Sequence, residues 1–274
     1  MSLPRGRRTA SPARRRSVLP LLRFVLWSVG LWVGLSRSVT AGVSAGASAG
    51  ASTGASGTDR APEDHVVLLH GLGRSSLALA ILRYRLHRAG FETHSVVYNS
   101  LTEEPAGIVA DVIAEMDDCC REVPRGARIH FVGHSLGGLI IRAYLARRRP
   151  ANLGRVVLLG TPNQGSAVAD YVSRWRLSEY LPTVRALGTG ADGLARQLPV
   201  PDYEVGVIAG DRSRSSAFDE ILGDAHDGMV SVDSTRLEDM RDFIVMPVTH
   251  VGMRNDEAVA DQVIAFLRTG RFLR

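Results

Sequence analysis

Ile129-His130-Phe131-Val132-Gly133-His134-Ser135-Leu136-Gly137-Gly138-Leu139-Ile140 is the stretch on which the fold turns. Its first four residues are an apolar run that reads as a buried strand, and from Leu136 the periodicity of a helix takes over. Between the two stands Gly133-His134-Ser135-Leu136-Gly137, a serine with a glycine two places to either side. A serine at the tip of so sharp a turn has a strained backbone. Side chains two positions away would meet the adjoining strand and helix, so glycine is needed there. The turn lifts Ser135 Oγ above the sheet edge and aims the Leu136 N–H, which has no partner at a helix start, toward the same spot. G-x-S-x-G in this setting reads as a nucleophile elbow. A glycine-rich turn with an incidental serine would show the same five residues, and the flanking strand and helix favour the nucleophile.

The rest of the chain from about Ala61 alternates strand and helix signals. Strands are predicted at Val66–Leu69, Thr93–Tyr98, Ile129 to the elbow, Arg155–Leu159, Val205–Ala209 and Phe243–Val245. Helices are predicted at Ser76–Ala89, Glu104–Glu122, from the elbow to Arg149, and at Asp256–Leu267. That alternation implies a mostly parallel sheet of about six strands with helices on both faces. Residues 167–201 interrupt it as a longer, partly helical insertion, expected to rise from the same sheet edge as Ser135. Its apolar content exceeds what a surface loop needs. Either it packs the segment onto the domain, or it forms a small cap whose inner face, with Trp175 and Leu181, lines an apolar substrate pocket.

A serine nucleophile needs a base, an acid and an oxyanion hole. The loop after the first strand, His70-Gly71-Leu72-Gly73, is placed to supply the Leu72 N–H as a second oxyanion donor beside that of Leu136. Of eight histidines, His250 follows the last strand and precedes the closing helix, where a loop reaches over the serine. It is the expected base, with His226 the runner-up. The acid must sit on a loop at the same edge, and spacing admits both Asp211 and Asp227.

Composition narrows the partners. There is no lysine, so all 33 basic residues are arginine, and the net charge is +5. Residues 1–41 carry +8 and the remainder −3, so the folded body has no positive field for phosphate backbones and no nucleic acid is expected. Residues 1–41 read as an export signal: an arginine-rich start, the apolar run Phe24–Leu35, and a small-residue site at Val39-Thr40-Ala41. The competing reading is an uncleaved membrane anchor using Val18–Leu35, into which Arg23 intrudes. Arg15-Arg16-Ser17-Val18-Leu19 bears a weak likeness to a twin-arginine signal. Residues 42–60 repeat Gly, Ala and Ser and read as a flexible linker, leaving 61–274 as the folded domain. Cys119 and Cys120 are adjacent and in no metal-ligand spacing, so they read as packing residues.

His70-Gly71-Leu72-Gly73, Gly133-His134-Ser135-Leu136-Gly137-Gly138 and Gly160-Thr161-Pro162-Asn163-Gln164-Gly165-Ser166, in that order, resemble the bacterial lipases and esterases of the α/β-hydrolase family. The likeness covers most of the chain beyond the leader. One departure is Asn163, where that group usually has histidine. The resemblance implies a compact α/β-hydrolase fold with six strands instead of eight, since nothing precedes Val66 that could form the two opening strands. It also implies Asp227 as the acid, because Asp227-Gly228-Met229-Val230 fits the Asp-Gly-x-Val context of the group. The expected activity is hydrolysis of lipid-like carboxylic esters through an acyl-enzyme, without a cofactor. Acyl transfer or amide hydrolysis on the same site is the nearest alternative. A catalytically inactive scaffold that binds a partner is the alternative from another class. Membrane association through the N-terminus or the substrate interface is compatible with both placements of the leader.

Overall fold

The computed structural model describes residues 63–119, 121, 123–174, 180–223 and 225–274. The expected leader and linker therefore lie outside the described residues, as does Trp175. Six strands form one sheet: β1 (His65–Leu69), β2 (Glu92–Ser95), β3 (Ile129–His134), β4 (Leu153–Leu159), β5 (Val205–Gly210) and β6 (Asp242–Met246), in the order β2-β1-β3-β4-β5-β6. Every neighbouring pair is parallel. The helices are α1 (Ala80–Arg88), α2 (Pro105–Cys119), α3 (Leu136–Arg147), α4 (Ala167–Ser173), α5 (Pro182–Ala186), α6 (Leu194–Gln197), α7 (Asp219–Leu222), α8 (Val232–Thr235) and α9 (Glu257–Thr269).

The inner strands β1, β3, β4 and β5 are largely apolar because both faces are covered, and the period of two sorts their side chains between two cores. Val67, Leu69, Phe131, Val156, Leu158, Val205 and Val207 face one core, filled by Ile108, Val112 and Met116 of α2 and by Leu139 and Ile140 of α3. Val66, Leu68, Val132, Val157, Leu159 and Ile208 face the other, filled by Leu82 and Leu86 of α1 and by Val259, Val263 and Phe266 of α9. α9 starts on an Asp256 cap that accepts from Val259 N at 3.1 Å and stops at Gly270, whose φ of +76° few other residues tolerate.

Two elements depart from the sequence reading in length. The second strand ends at Ser95, not Tyr98: its partner β1 ends at Leu69, and the Val97 N–H turns to Glu115 Oε2 at 3.2 Å. The expected first helix begins as a 3-10 turn, Ser76–Leu79, before α1. The strand order reverses at β1, which lies between β2 and β3. In parallel sheets the crevice beyond the strand ends at such a reversal is where ligands bind. The loops after Leu69, His134, Leu159, Gly210 and Met246 all emerge at that edge.

Candidate active site

The turn between β3 and α3 has the strain its sequence predicts. Ser135 has φ 57° and ψ −124°, one of two described non-glycine residues with positive φ. Its N–H donates to the Leu159 carbonyl at 2.8 Å, which seats the turn on the end of β4. The glycines are steric necessities. A Cβ on Gly133 would lie 2.6 Å from Gly138 Cα, and one on Gly137 would run into the Leu69 carbonyl oxygen. On Gly71 it would sit 3.1 Å from Ser135 Cβ. The His70–Gly73 loop and the elbow thus touch backbone to backbone, which places Leu72 at the cleft that Ser135 lines. Leu136 is the first residue of α3, and its N–H has no intrahelical acceptor.

His250 and Asp227 meet at the same edge. His250 Nδ1 lies 2.7 Å from Asp227 Oδ2, and the His250 N–H donates to the Asp227 carbonyl at 2.9 Å. The other carboxylate oxygen, Oδ1, accepts from the Met229 and Val230 N–H groups at 2.9 and 2.8 Å. Asp227 is 2 % exposed, so these donors replace its water. With Nδ1 turned to the carboxylate, Nε2 is the nitrogen His250 has left for Ser135, and both residues line one cleft. Gly160 allows the pair to close: at φ +52°, a Cβ there would lie 3.0 Å from Asp227 Oδ2 and 3.1 Å from His250 Nδ1.

The rival residues lie elsewhere. Asp211 is partly exposed and faces its neighbour Arg212 at 3.7 Å. His226 is buried against Asp219 at 3.1 Å and accepts the Gly228 N–H, so it shapes the Asp227 turn from behind. Leu181 stands just before α5 and packs on the core; among the described residues of 167–201 it is Val168, Ala169, Val172, Val184 and Leu187 that line the cleft. Asn163 is buried, accepting from Arg142 Nη1 at 3.2 Å and donating to the Thr235 carbonyl at 2.8 Å, and so joins α3 to α8.

Three further residues complete the site, Tyr98 and Ser100 from outside the motifs and His134 from within the elbow. The Tyr98 ring stacks on that of His70 at 4.2 Å and 7°, and its hydroxyl donates to the His70 carbonyl. Ser100 Oγ accepts the Gly73 N–H at 3.0 Å. The loop that presents Leu72 is therefore held at both ends by the tail of β2. Burial raises the Tyr98 phenol far above its ordinary value, so it stays a donor. His134, wholly enclosed, donates from Nε2 to the His250 carbonyl at 2.8 Å. Burial first, and electrostatic repulsion from the neighbouring His250 and Arg254 side chains after it, hold His134 well below the usual histidine range, so it is neutral. Its signal in sequence is only its place in the elbow.

Residues 65–191 match the family described as palmitoyl protein thioesterase. No curated protein matches the chain by sequence. Among solved structures the chain is similar to a lipase of Bacillus licheniformis in its mature form, at 20 % identity and a TM-score of 0.62 over 77 % of this chain and 93 % of that one. It is also similar to the phospholipase PlaB of Legionella pneumophila, at 17 % identity and 0.61 over 77 % and 60 %. A metagenomic carboxyl esterase aligns at 17 % identity and 0.56 over 86 % and 88 %. At these identities the likeness is one of fold. With six parallel strands in this order, helices on both faces and the serine turn after the third strand, the chain has the α/β-hydrolase fold.

Proposed function

We propose that this protein is a serine hydrolase of carboxylic esters with lipid-like acyl groups. The observation that carries the reading is the Asp227–His250 pair at 2.7 Å, opening onto the cleft where strained Ser135 stands. In this reading His250 Nε2 takes the Ser135 proton as Oγ attacks the ester carbonyl, and Asp227 stabilises the imidazolium. The Leu72 and Leu136 N–H groups hold the oxyanion, each worth about 3–4 kcal/mol to the transition state. His250 then protonates the leaving alcohol, and water, activated by the same histidine, releases the acid from the acyl-enzyme. Thioesters fit the same sequence of steps, since only the leaving atom changes, and the match to a palmitoyl protein thioesterase family favours them as a second substrate class.

The acyl side of the cleft is apolar, lined by Val168, Val172, Val184 and Leu187. Burying a methylene is worth roughly 0.8 kcal/mol, so medium-chain esters should exceed acetyl esters in kcat/KM. Two measurements test the proposal. A fluorophosphonate probe should label the wild type and fail on Ser135→Ala, which should also lose turnover by orders of magnitude. Labelling that persists in Ser135→Ala would remove the nucleophile assignment. A panel of 4-nitrophenyl esters should rise with chain length, and Leu187→Ala should flatten that rise. Acetate as the best substrate would remove the lipid-like part alone. We further propose, from the leader composition, that the protein is exported.

A further inference from the structure

Arg254 closes the 3-10 turn Gly252–Arg254, four residues beyond His250, and faces the cleft that holds Ser135. It is 7 % exposed. Its Nε donates to the Val251 carbonyl at 3.2 Å and its Nη1 to the Ala78 carbonyl at 3.5 Å, the second a long contact. A guanidinium has five N–H donors, so these two bonds leave three uncommitted. Among the described residues it forms no ion pair, and no carboxylate lines the cleft. Arg74 lines the same cleft and adds a second positive charge. Burial first, and that neighbouring charge second, draw the Arg254 guanidinium down to about 10, which leaves it cationic at neutral pH.

A buried cation is costly unless an anion answers it, and a like charge alongside raises the cost. Here the uncompensated charge is held beside the serine, in a cleft otherwise dominated by aliphatic groups. A planar guanidinium with free donors suits a phosphate or carboxylate, which it can grip with two parallel N–H bonds. We propose that Arg254, with Arg74 beside it, is an anion subsite of this cleft, so that the preferred substrate is an acyl ester bearing a phosphate or carboxylate group. The substrate class rests on the ester-hydrolase reading; the subsite itself does not.

A purely structural Arg254 would tie the His250 turn to the Ser76–Leu79 turn through the two carbonyl bonds. That role needs N–H donors and no charge, and Arg254→Gln keeps donors while removing the charge. The test is calorimetric titration of the full chain carrying Ser135→Ala, with octyl phosphate and the neutral octyl glucoside as probes. Octyl phosphate should bind at least about tenfold more tightly. Adding Arg254→Gln should bring the two within about threefold, and Arg254→Lys should keep more of the preference than Gln. Raising salt from about 50 to about 500 mM should weaken octyl phosphate and spare the glucoside. Competition by inorganic phosphate would show that the subsite takes the free ion, and failure to compete that it needs the chain as well; either agrees with an anion subsite. Equal affinities for the two probes, or a preference that Arg254→Gln leaves intact, would overturn it. If the Gln variant does not fold, the Lys variant and the salt series decide. Because the Ser135→Ala protein has no nucleophile, failed fluorophosphonate labelling of the wild type would end the hydrolase reading without touching this result.

Discussion

Asp227 is held by hydrogen bonds from Met229, Val230 and His250, and none of the three contacts can be met by water once the side chain is enclosed. An amide in its place would turn one NH2 toward a donor or toward His250, losing charge and the imidazole tautomer together. Asp227→Asn should therefore lower kcat by about 10⁴-fold, while Asp211→Asn, partly exposed and facing only Arg212, should stay within about twofold of wild type. Steady-state kinetics on one ester decides it, and the opposite ranking would move the acid to Asp211. This was the least legible part of the site. Both aspartates follow β5 at the right edge, and spacing alone does not say which turn folds back under His250; the Asp-Gly-x-Val likeness pointed to Asp227. Ser135 and His250 were easier to read, because one is bounded by glycines that sterics demand and the other lies between the last strand and the closing helix.

Strand β2 has few ladder bonds and a mostly polar sequence, yet its tail holds the loop bearing Leu72. Tyr98→Phe keeps the stacking on His70 and removes the hydrogen bond to its carbonyl, at a cost to stability of about 1 kcal/mol. Because that carbonyl belongs to the peptide preceding Gly71, the loss should appear mainly in kcat, by about tenfold, with KM little changed. A Tyr98→Phe protein with full kcat would mean that the loop needs no such brace. Tyr98 and Ser100 were invisible as site residues in the sequence: they stand 28 and 27 residues from their partners, and nothing local marks a tyrosine as a clamp. The strands themselves were legible to within a few residues, since continuous apolar runs bounded by turns have few other readings in an alternating chain. The short helices α7 and α8 were not, being four residues long and fixed by their surroundings.

The whole chain separates its charges: residues 1–41 hold eight arginines and no acid, and the rest is mildly acidic. That asymmetry suits export, and protein recovered outside the cytoplasm should begin near Gly42, as mass spectrometry of the intact chain would reveal. A full-length chain confined to the membrane fraction would favour the anchor instead. Within the described body, strand ends, elbow and the Asp227 and His250 turns share one edge, so the chemistry depends on the sheet being complete through β6. Ser135 occupies a backbone well that disfavours side chains by about 1–3 kcal/mol, whereas glycine enters it freely and gives back only about 0.5–1 kcal/mol in chain entropy. Ser135→Gly should thus raise the melting temperature by about 2–4 °C, and no rise would mean that the turn carries no strain. A population of this protein selected for heat resistance alone would be expected to exchange Ser135 for glycine among its first mutations, so under the proposed function it is turnover that would hold the serine in place.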